Sequence, residues 1–322
     1  MTKKNKRKNK KILLTGGAGY VGSVLVPLFL RDGYDVRVVD SLMFNQHSPV
    51  INLKKTGYEF IWADLCDEKT LKQSLKGVDL IVHLAALVGE PPCRAYPNLC
   101  YRLNTELVEK INRLRKKIPI IAMSSSSIYG EIDGGICTEE TKPKPTMNYA
   151  ISKWEAEKII VKSDNYIIFR PATAFGDSPR PRIDLLPNEF TFIALKQKKL
   201  EVYNPNFLRT IFYVKDFARA ILMMANRFSE YKNQVFNIGT DELNVTKENV
   251  ARAIRRKIKF DLKIVPNLDD PDQRNFFVDF GKFKNTGFKP AYTLDRGIDQ
   301  LIKRYRHLSD HPSYYNTHPI HR

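Results

Sequence analysis

The strongest constraint on the fold is a glycine run, Thr15-Gly16-Gly17-Ala18-Gly19-Tyr20-Val21-Gly22. It stands between the apolar stretch Ile12-Leu13-Leu14 and the segment Ser23-Val24-Leu25-Val26-Pro27-Leu28-Phe29-Leu30. This order fits a buried strand, a tight turn and a helix. Glycines at 16, 19 and 22 let the backbone turn sharply, approach a pyrophosphate and pack helix on strand, with phosphate charge at the helix N-terminus. The spacing is G-x-x-G-x-x-G rather than the commoner G-x-G-x-x-G, and a glycine-rich loop alone also serves as a plain turn. The deciding feature is Val36-Arg37-Val38-Val39-Asp40, a second apolar strand that ends in an acid. A carboxylate at that distance accepts hydrogen bonds from a ribose diol and repels a 2′-phosphate, which favours NAD over NADP. The opening is that of a Rossmann-type, doubly wound α/β fold.

A second string, Tyr149-Ala150-Ile151-Ser152-Lys153-Trp154-Glu155-Ala156-Glu157, lacks Gly and Pro and predicts a helix. Tyr149 and Lys153 then share one face. A phenol is a poor base at neutral pH, but a nearby ammonium favours the phenolate and eases removal of a hydroxyl proton. The same pattern also arises by chance as an exposed pair on a helix, so the context decides.

That context is a resemblance. The order of motifs resembles the extended short-chain dehydrogenase/reductases that act on nucleotide sugars, the NAD-dependent epimerase/dehydratase family, over nearly the whole chain. The resemblance implies that Gly16, Gly19, Tyr20, Val21 and Gly22 hold the cofactor, that Asp40 takes its ribose and that Asp64-Leu65 lie beside its adenine. Leu80-Ile81-Val82-His83-Leu84-Ala85-Ala86 is similar to the fourth-strand motif, placing Leu84, Ala85 and Ala86 along the cofactor. Asn104 matches the asparagine of an N-x-x-G-T motif, although the following residues, including Glu106 and Leu107, depart from it. Ser124-Ser125-Ser126-Ser127-Ile128-Tyr129-Gly130 resembles the S-S-x-x-V-Y-G signature. Counting four back from Tyr129 makes Ser125 the catalytic hydroxyl, with Ser124 and Ser126 open as helpers. Phe169 to Gly176, with Pro171, matches the strand that closes over the nicotinamide. Arg209 matches an arginine that binds the nucleotide diphosphate, and Phe236-Asn237-Ile238-Gly239 completes the set.

Three departures carry information. Thr173 stands where many relatives have an asparagine at the sugar nucleotide. Arg274, in Asp270-Pro271-Asp272-Gln273-Arg274, lies several residues past the second diphosphate arginine of galactose-type epimerases. Sugar 4,6-dehydratases place an acid pair after the catalytic threonine, because elimination needs a proton acceptor and a donor. Here those positions are Ser126 and Ser127, which disfavours dehydration and, more weakly, decarboxylation of a UDP-glucuronate. The family therefore implies oxidation of a sugar C4 hydroxyl through a 4-keto species, by an epimerase or a net dehydrogenase. Tyr149 is the base, Ser125 the relay, and Lys153 tunes Tyr149 and holds ribose. Val88, Ser126, Thr173, Arg180, Arg182, Asn188, Arg209 and Arg274 are the implied substrate contacts. The segments 87–93, 175–186 and 270–274 most resemble GDP-heptose 4-dehydrogenases of capsule synthesis. The implied substrate is a GDP- or UDP-linked sugar. The family also implies a homodimer pairing the helices after Asn104 and Tyr149. Two rivals are an NADPH-dependent 4-keto-sugar reductase, against which Asp40 argues, and a catalytically idle binding protein, against which the joint retention of Ser125, Tyr149 and Lys153 argues.

Composition agrees. A chain of 322 residues buries a substantial core. We expect a basic disordered tail over 1–10, an NAD-binding domain over 11–175 and a smaller C-terminal substrate-binding lobe over 176–322, with segments such as 210–225 returning to the first. Seven of the positive residues behind the net charge of +18 fall between Met1 and Lys11, without the apolar region of a signal peptide. A solvated tail is the plain reading, with weak attraction to an anionic lipid or polymer left open. The charge by itself identifies no partner. We expect no nucleic-acid partner and, for want of a long apolar run, no membrane span. Cys66, Cys93, Cys100 and Cys137 lack C-x-x-C spacing, which predicts reduced thiols in a cytoplasmic enzyme and no metal site. Cys93 and His83 are expected to be packed. His307, His311, His318 and His321 fall in an irregular C-terminal end.

Overall fold

In the computed structural model, which describes residues 10–130, 135–266 and 276–316, seven strands form the central sheet. They are β1 (Lys11–Thr15), β2 (Asp35–Asp40), β3 (Tyr58–Trp62), β4 (Leu80–His83), β5 (Ile120–Met123), β6 (Tyr166–Pro171) and β7 (Gln234–Ile238). The order across the sheet is β7-β6-β5-β4-β1-β2-β3, with all neighbours parallel. The chain winds outward from β1 through β2 and β3, then crosses to β4 on the other side. Where the order reverses, a crevice opens beyond the carboxyl ends of β1 and β4, the usual ligand site of a doubly wound sheet.

The strand sequences follow from this burial. Ile12, Leu13 and Leu14 are fully buried, and all of β4 is buried, because helices cover both faces and the strands become continuous apolar runs. Ile12, Leu14, Val36 and Val38 belong to a core with Leu25, Val26 and Phe29 of the helix Gly22–Arg31 and Ile221 and Met224 of the helix Val214–Asn226. Leu13, Val39 and Ile81 join the opposite core with Leu107, Ile111, Ala156 and Ile160. β3 lies at the edge and leaves Trp62 exposed.

The later part of the chain has its own apolar core, which includes Phe175, Phe190, Val202, Ile211, Val250, Leu301 and Tyr305. Its helices are Leu186–Gln197, Lys247–Arg255 and Leu294–Tyr305. A three-stranded sheet of Thr173–Phe175, Leu208–Tyr213 and Asn244–Thr246 runs beside the crevice. The helix Val214–Asn226 and β7 return to the central sheet. Arg274, residues 1–9 of the basic tail, His318 and His321 lie outside the described residues.

The helix Asn148–Ile160 carries Tyr149 and Lys153 and is fastened to β6 by a buried ion pair, Glu157 to Arg170 at 2.6 Å. Arg170 also donates to the Tyr129 hydroxyl at 3.1 Å and to the Glu139 carbonyl at 2.9 Å. Tyr129 in turn donates to Asn237 Oδ1 of β7 at 2.6 Å. Each charge is thus paired and hydrogen-bonded, the condition under which a buried pair is tolerated. Glu157→Ala strands the Arg170 guanidinium and is expected to cost about 3–5 kcal/mol of stability, read by urea denaturation.

Candidate active site

A cavity of about 620 Å³ opens at the crevice, lined by the ends of β1, β2, β4, β5 and β6 and by the facing lobe. Gly16 follows β1 with a φ of +68°, and a Cβ there would lie 2.6 Å from the Ala85 nitrogen. Only glycine lets the two loops touch in this way. The helix Gly22–Arg31 starts on Val21, with no side-chain cap and no acid in its first turn. Its positive dipole end therefore borders the cavity without a side-chain cap, although the Ser23 and Val24 nitrogens already donate to the Gly19 and Val21 carbonyls. Asp40, at the end of β2, accepts from the Ala18 nitrogen at 3.0 Å, the Leu42 nitrogen at 2.9 Å and Gln46 Nε2 at 3.3 Å. Burial pushes its carboxyl upward against these bonds. Asp64, Leu65, Leu84, Ala85, Ala86 and Pro171 line the same space as Gly16, Gly19, Tyr20, Val21 and Gly22. A glycine turn at an open helix N-terminus, an acid for a diol and an apolar wall fit a dinucleotide.

Tyr20 leaves the glycine loop and reaches the other lobe, donating to the Gly176 carbonyl at 2.7 Å. Burial holds its phenol well above the usual range, so it stays protonated. Beside it Ser23 Oγ and Ser178 Oγ share a hydrogen bond of 2.9 Å.

Ser125, Tyr149 and Lys153 come together on the cavity wall. Ser125 caps the short turn Ser126–Tyr129, its Oγ accepting from the Ser127 nitrogen at 3.1 Å and meeting Ser127 Oγ at 2.7 Å. Ser124, Ser126 and Ser127 also line the cavity. Among the described residues, the buried Ser124 hydroxyl has no partner. The Tyr149 nitrogen donates to Glu90 Oε2 at 2.9 Å. Lys153 is 3% exposed, and burial presses its pKa down to about 8, outweighing the nearby Cys93, Cys100 and Glu157. His83 bonds Thr15 Oγ1 through Nδ1 at 2.8 Å, and burial pushes its pKa to about 3, leaving a neutral, packed ring. Cys93 is fully buried, in a cluster with Phe44, Leu87 and Leu103.

Two expected contacts do not reach the cavity. Asn104 is buried in the π-turn Arg102–Glu106, where Oδ1 accepts from the Leu87 nitrogen at 2.8 Å and Nδ2 donates to the Leu87 carbonyl at 2.9 Å and to Ser152 Oγ at 3.0 Å. It ties the loop after β4 to the Tyr149 helix rather than touching a cofactor. Asn188 is equally buried and bonds the Gly176 nitrogen, the Arg182 carbonyl and the Tyr20 hydroxyl, so it shapes the facing loop rather than meeting substrate. Both amides are spent on buried partners, as buried polar groups must be.

Val88, Ser126, Thr173, Arg180, Arg182 and Arg209 do line the cavity. Arg182 forks onto Asp184 with two bonds of 2.7 Å, while Arg180 bonds Asn316 Oδ1 at 2.7 Å and lies over the Phe44 ring. Burial lowers the Arg180 pKa to about 9, and the Arg182 charge adds to the effect. Lys247, Glu90, Phe44 and Asn316 join the wall without having been expected. Lys247 has no local signal, because pairing of Leu208–Thr210 with Asn244–Thr246 brings it near Arg209. Among the described residues, no group of three or more His, Cys, Asp or Glu is arranged to hold a metal ion, and no helix is long and apolar enough to cross a membrane.

The chain is similar in sequence and fold to known proteins. A UDP-glucose 4-epimerase of Mycoplasma genitalium is 27% identical over 84% of this chain and 97% of its own length. The structure of a dTDP-glucose 4,6-dehydratase from Bacillus anthracis in complex with NAD aligns with a TM-score of 0.79 at 25% identity, covering 92% of this chain and 96% of that one. A UDP-glucuronic acid 4-epimerase from Bacillus cereus shares the fold with a TM-score of 0.81 at 21% identity, over 92% of this chain and 98% of its own. The NAD dependent epimerase/dehydratase family matches residues 12–239, from β1 through the end of β7, and the chain belongs to that family of enzymes.

Proposed function

We propose that the protein is an NAD-dependent nucleotide-sugar 4-epimerase, working through oxidation at the sugar C4 hydroxyl. The observation that carries this reading is the meeting of Ser125, Tyr149 and Lys153 in one cavity with the glycine loop and Asp40. Gly16, Gly19, Tyr20, Val21 and Gly22 would hold the NAD pyrophosphate, Asp40 and Lys153 its two riboses, Asp64 and Leu65 its adenine, and Leu84, Ala85, Ala86 and Pro171 its length. NAD, when bound, supplies a reversible hydride acceptor at the sugar carbon.

The chain supplies the proton chemistry. Tyr149 as phenolate takes the C4 hydroxyl proton, and the Lys153 ammonium favours that phenolate. Ser125, backed by Ser127, bridges sugar oxygen and phenol. Arg209, joined by Lys247, offers cations to the sugar-nucleotide diphosphate. Relatives named as 4-epimerases support return to the opposite face of a 4-keto sugar, and their UDP-linked substrates support a UDP-sugar here. Ser126 and Ser127, in place of an acid pair, argue against elimination. The loops 87–93 and 175–186 favour a second reading, a net C4 dehydrogenase on a GDP-heptose in surface-polysaccharide synthesis. A homodimer through the helices Leu107–Leu114 and Asn148–Ile160 is part of the proposal, supported by the exposed Tyr101, Ile151 and Val161.

Lys153 links the chemistry to stability. Between pH 8 and its ordinary 10.5 the unfolded chain binds a proton that the folded chain has released, so this group's contribution to stability rises with pH across that window. Below it the buried ammonium costs about 3 kcal/mol. Lys153→Met is expected to gain about 1–3 kcal/mol at pH 7, to lose the rise above pH 8 and to lose turnover, read by urea denaturation at pH 7 and 9.5 and by activity. Incubation with UDP-, GDP- and dTDP-sugars, followed by mass spectrometry and NMR, is expected to give a 4-epimer at unchanged mass. Loss of two hydrogens would replace the epimerase by the dehydrogenase reading. Tyr149→Phe is expected to slow turnover by about 10²–10⁴-fold, and unchanged turnover would end the proposed mechanism.

A further inference from the structure

The helix Asn148–Ile160 has a defect at its start. Its N-cap is Met147, whose side chain accepts no hydrogen bond, and its first turn holds no acid. Helices that begin this way leave N–H donors unsatisfied and the positive dipole end uncompensated. Tyr149 is the second residue of this helix, so any slack there moves the phenol itself.

Glu90 fills the gap from another part of the chain. Its Oε2 accepts from the Tyr149 nitrogen at 2.9 Å, which is the bond an N-cap side chain ordinarily makes. The segment that carries Glu90 is built to aim it. Leu87 is gripped through both its N–H and its carbonyl by Asn104. Gly89 then turns the chain at a φ of +105°, a region that side chains resist. Pro91 and Pro92 follow, fixing their own φ angles and opening a short helix at Glu90. Glu90 itself lines the cavity.

We propose that Glu90 is the positioning residue of the catalytic helix, a cap supplied in trans by the loop after β4 that sets how Tyr149 enters the cavity. The inference rests on the reading of Tyr149 as the base. Through Asn104 and Glu90 the loop lining the sugar end of the cavity and the helix bearing the base are held as one unit.

The test compares Glu90→Ala, Glu90→Gln and Tyr149→Phe in the full-length NAD-loaded enzyme. Glu90→Gln keeps an acceptor oxygen at the same reach and is expected to stay within about 3-fold of the parent kcat. Glu90→Ala removes the acceptor and is expected to lower kcat about 10–100-fold with KM within about 3-fold, the size of effect expected from a small displacement of a reacting group. Parent-like kcat in Glu90→Ala overturns the proposal. Equal impairment of Glu90→Gln and Glu90→Ala also overturns it, because the charge and not the cap would then matter. Should Glu90→Ala lose its thermal transition, Glu90→Asp replaces it: one methylene shorter, it must lose kcat while KM stays, and a parent-like kcat overturns the proposal. Turnover retained in Tyr149→Phe removes Tyr149 as the base, an outcome separate from any result at position 90.

Discussion

Backbone lies against backbone where the loop after β1 meets the loop after β4, with a Cβ at Gly16 excluded by the Ala85 nitrogen. β1 is the strand between the two halves of the winding, so this contact sets how closely those halves approach. The distances that matter for chemistry are referred to it. Asp40 reaches the glycine loop because β2 flanks β1, and Ser125 and Tyr149 come within reach because β5 flanks β4. A wider turn would part Asp40 from Ser125 and Tyr149.

The energetics divide along the same line. Glu157 and Arg170 are buried charges that satisfy each other and hold the helix to the sheet. Lys153, one turn earlier on that helix, is a buried charge whose pKa is pulled toward neutrality. The first arrangement spends its electrostatics on position, while the second keeps a proton loosely bound on the cavity wall. Such a contrast between neighbours is a mark of functional sites.

Much of this was legible from residue order. The glycine run, the acid at Asp40 and the apolar strands announce a parallel sheet, since buried strands must be continuously apolar and a phosphate turn must be small. Spacing puts Tyr149 and Lys153 on one helix face, but only the resemblance of the motif order to a known family singles them out together with Ser125. The misses share one cause. Asn104 and Asn188 look like ligand contacts in a motif, but a short amide serves backbone and ligand equally well, and only burial tells which. Lys247 and Glu90 reach the cavity through strand pairing and through a loop folded on a distant helix, contacts between residues far apart in sequence.

The bond from Tyr20 to Gly176 bears on how the molecule can move. Together with the Ser23 to Ser178 contact, it stitches the two lobes along the floor of the crevice beside the start of the first helix. The crevice cannot widen at the glycine loop without breaking these buried hydrogen bonds.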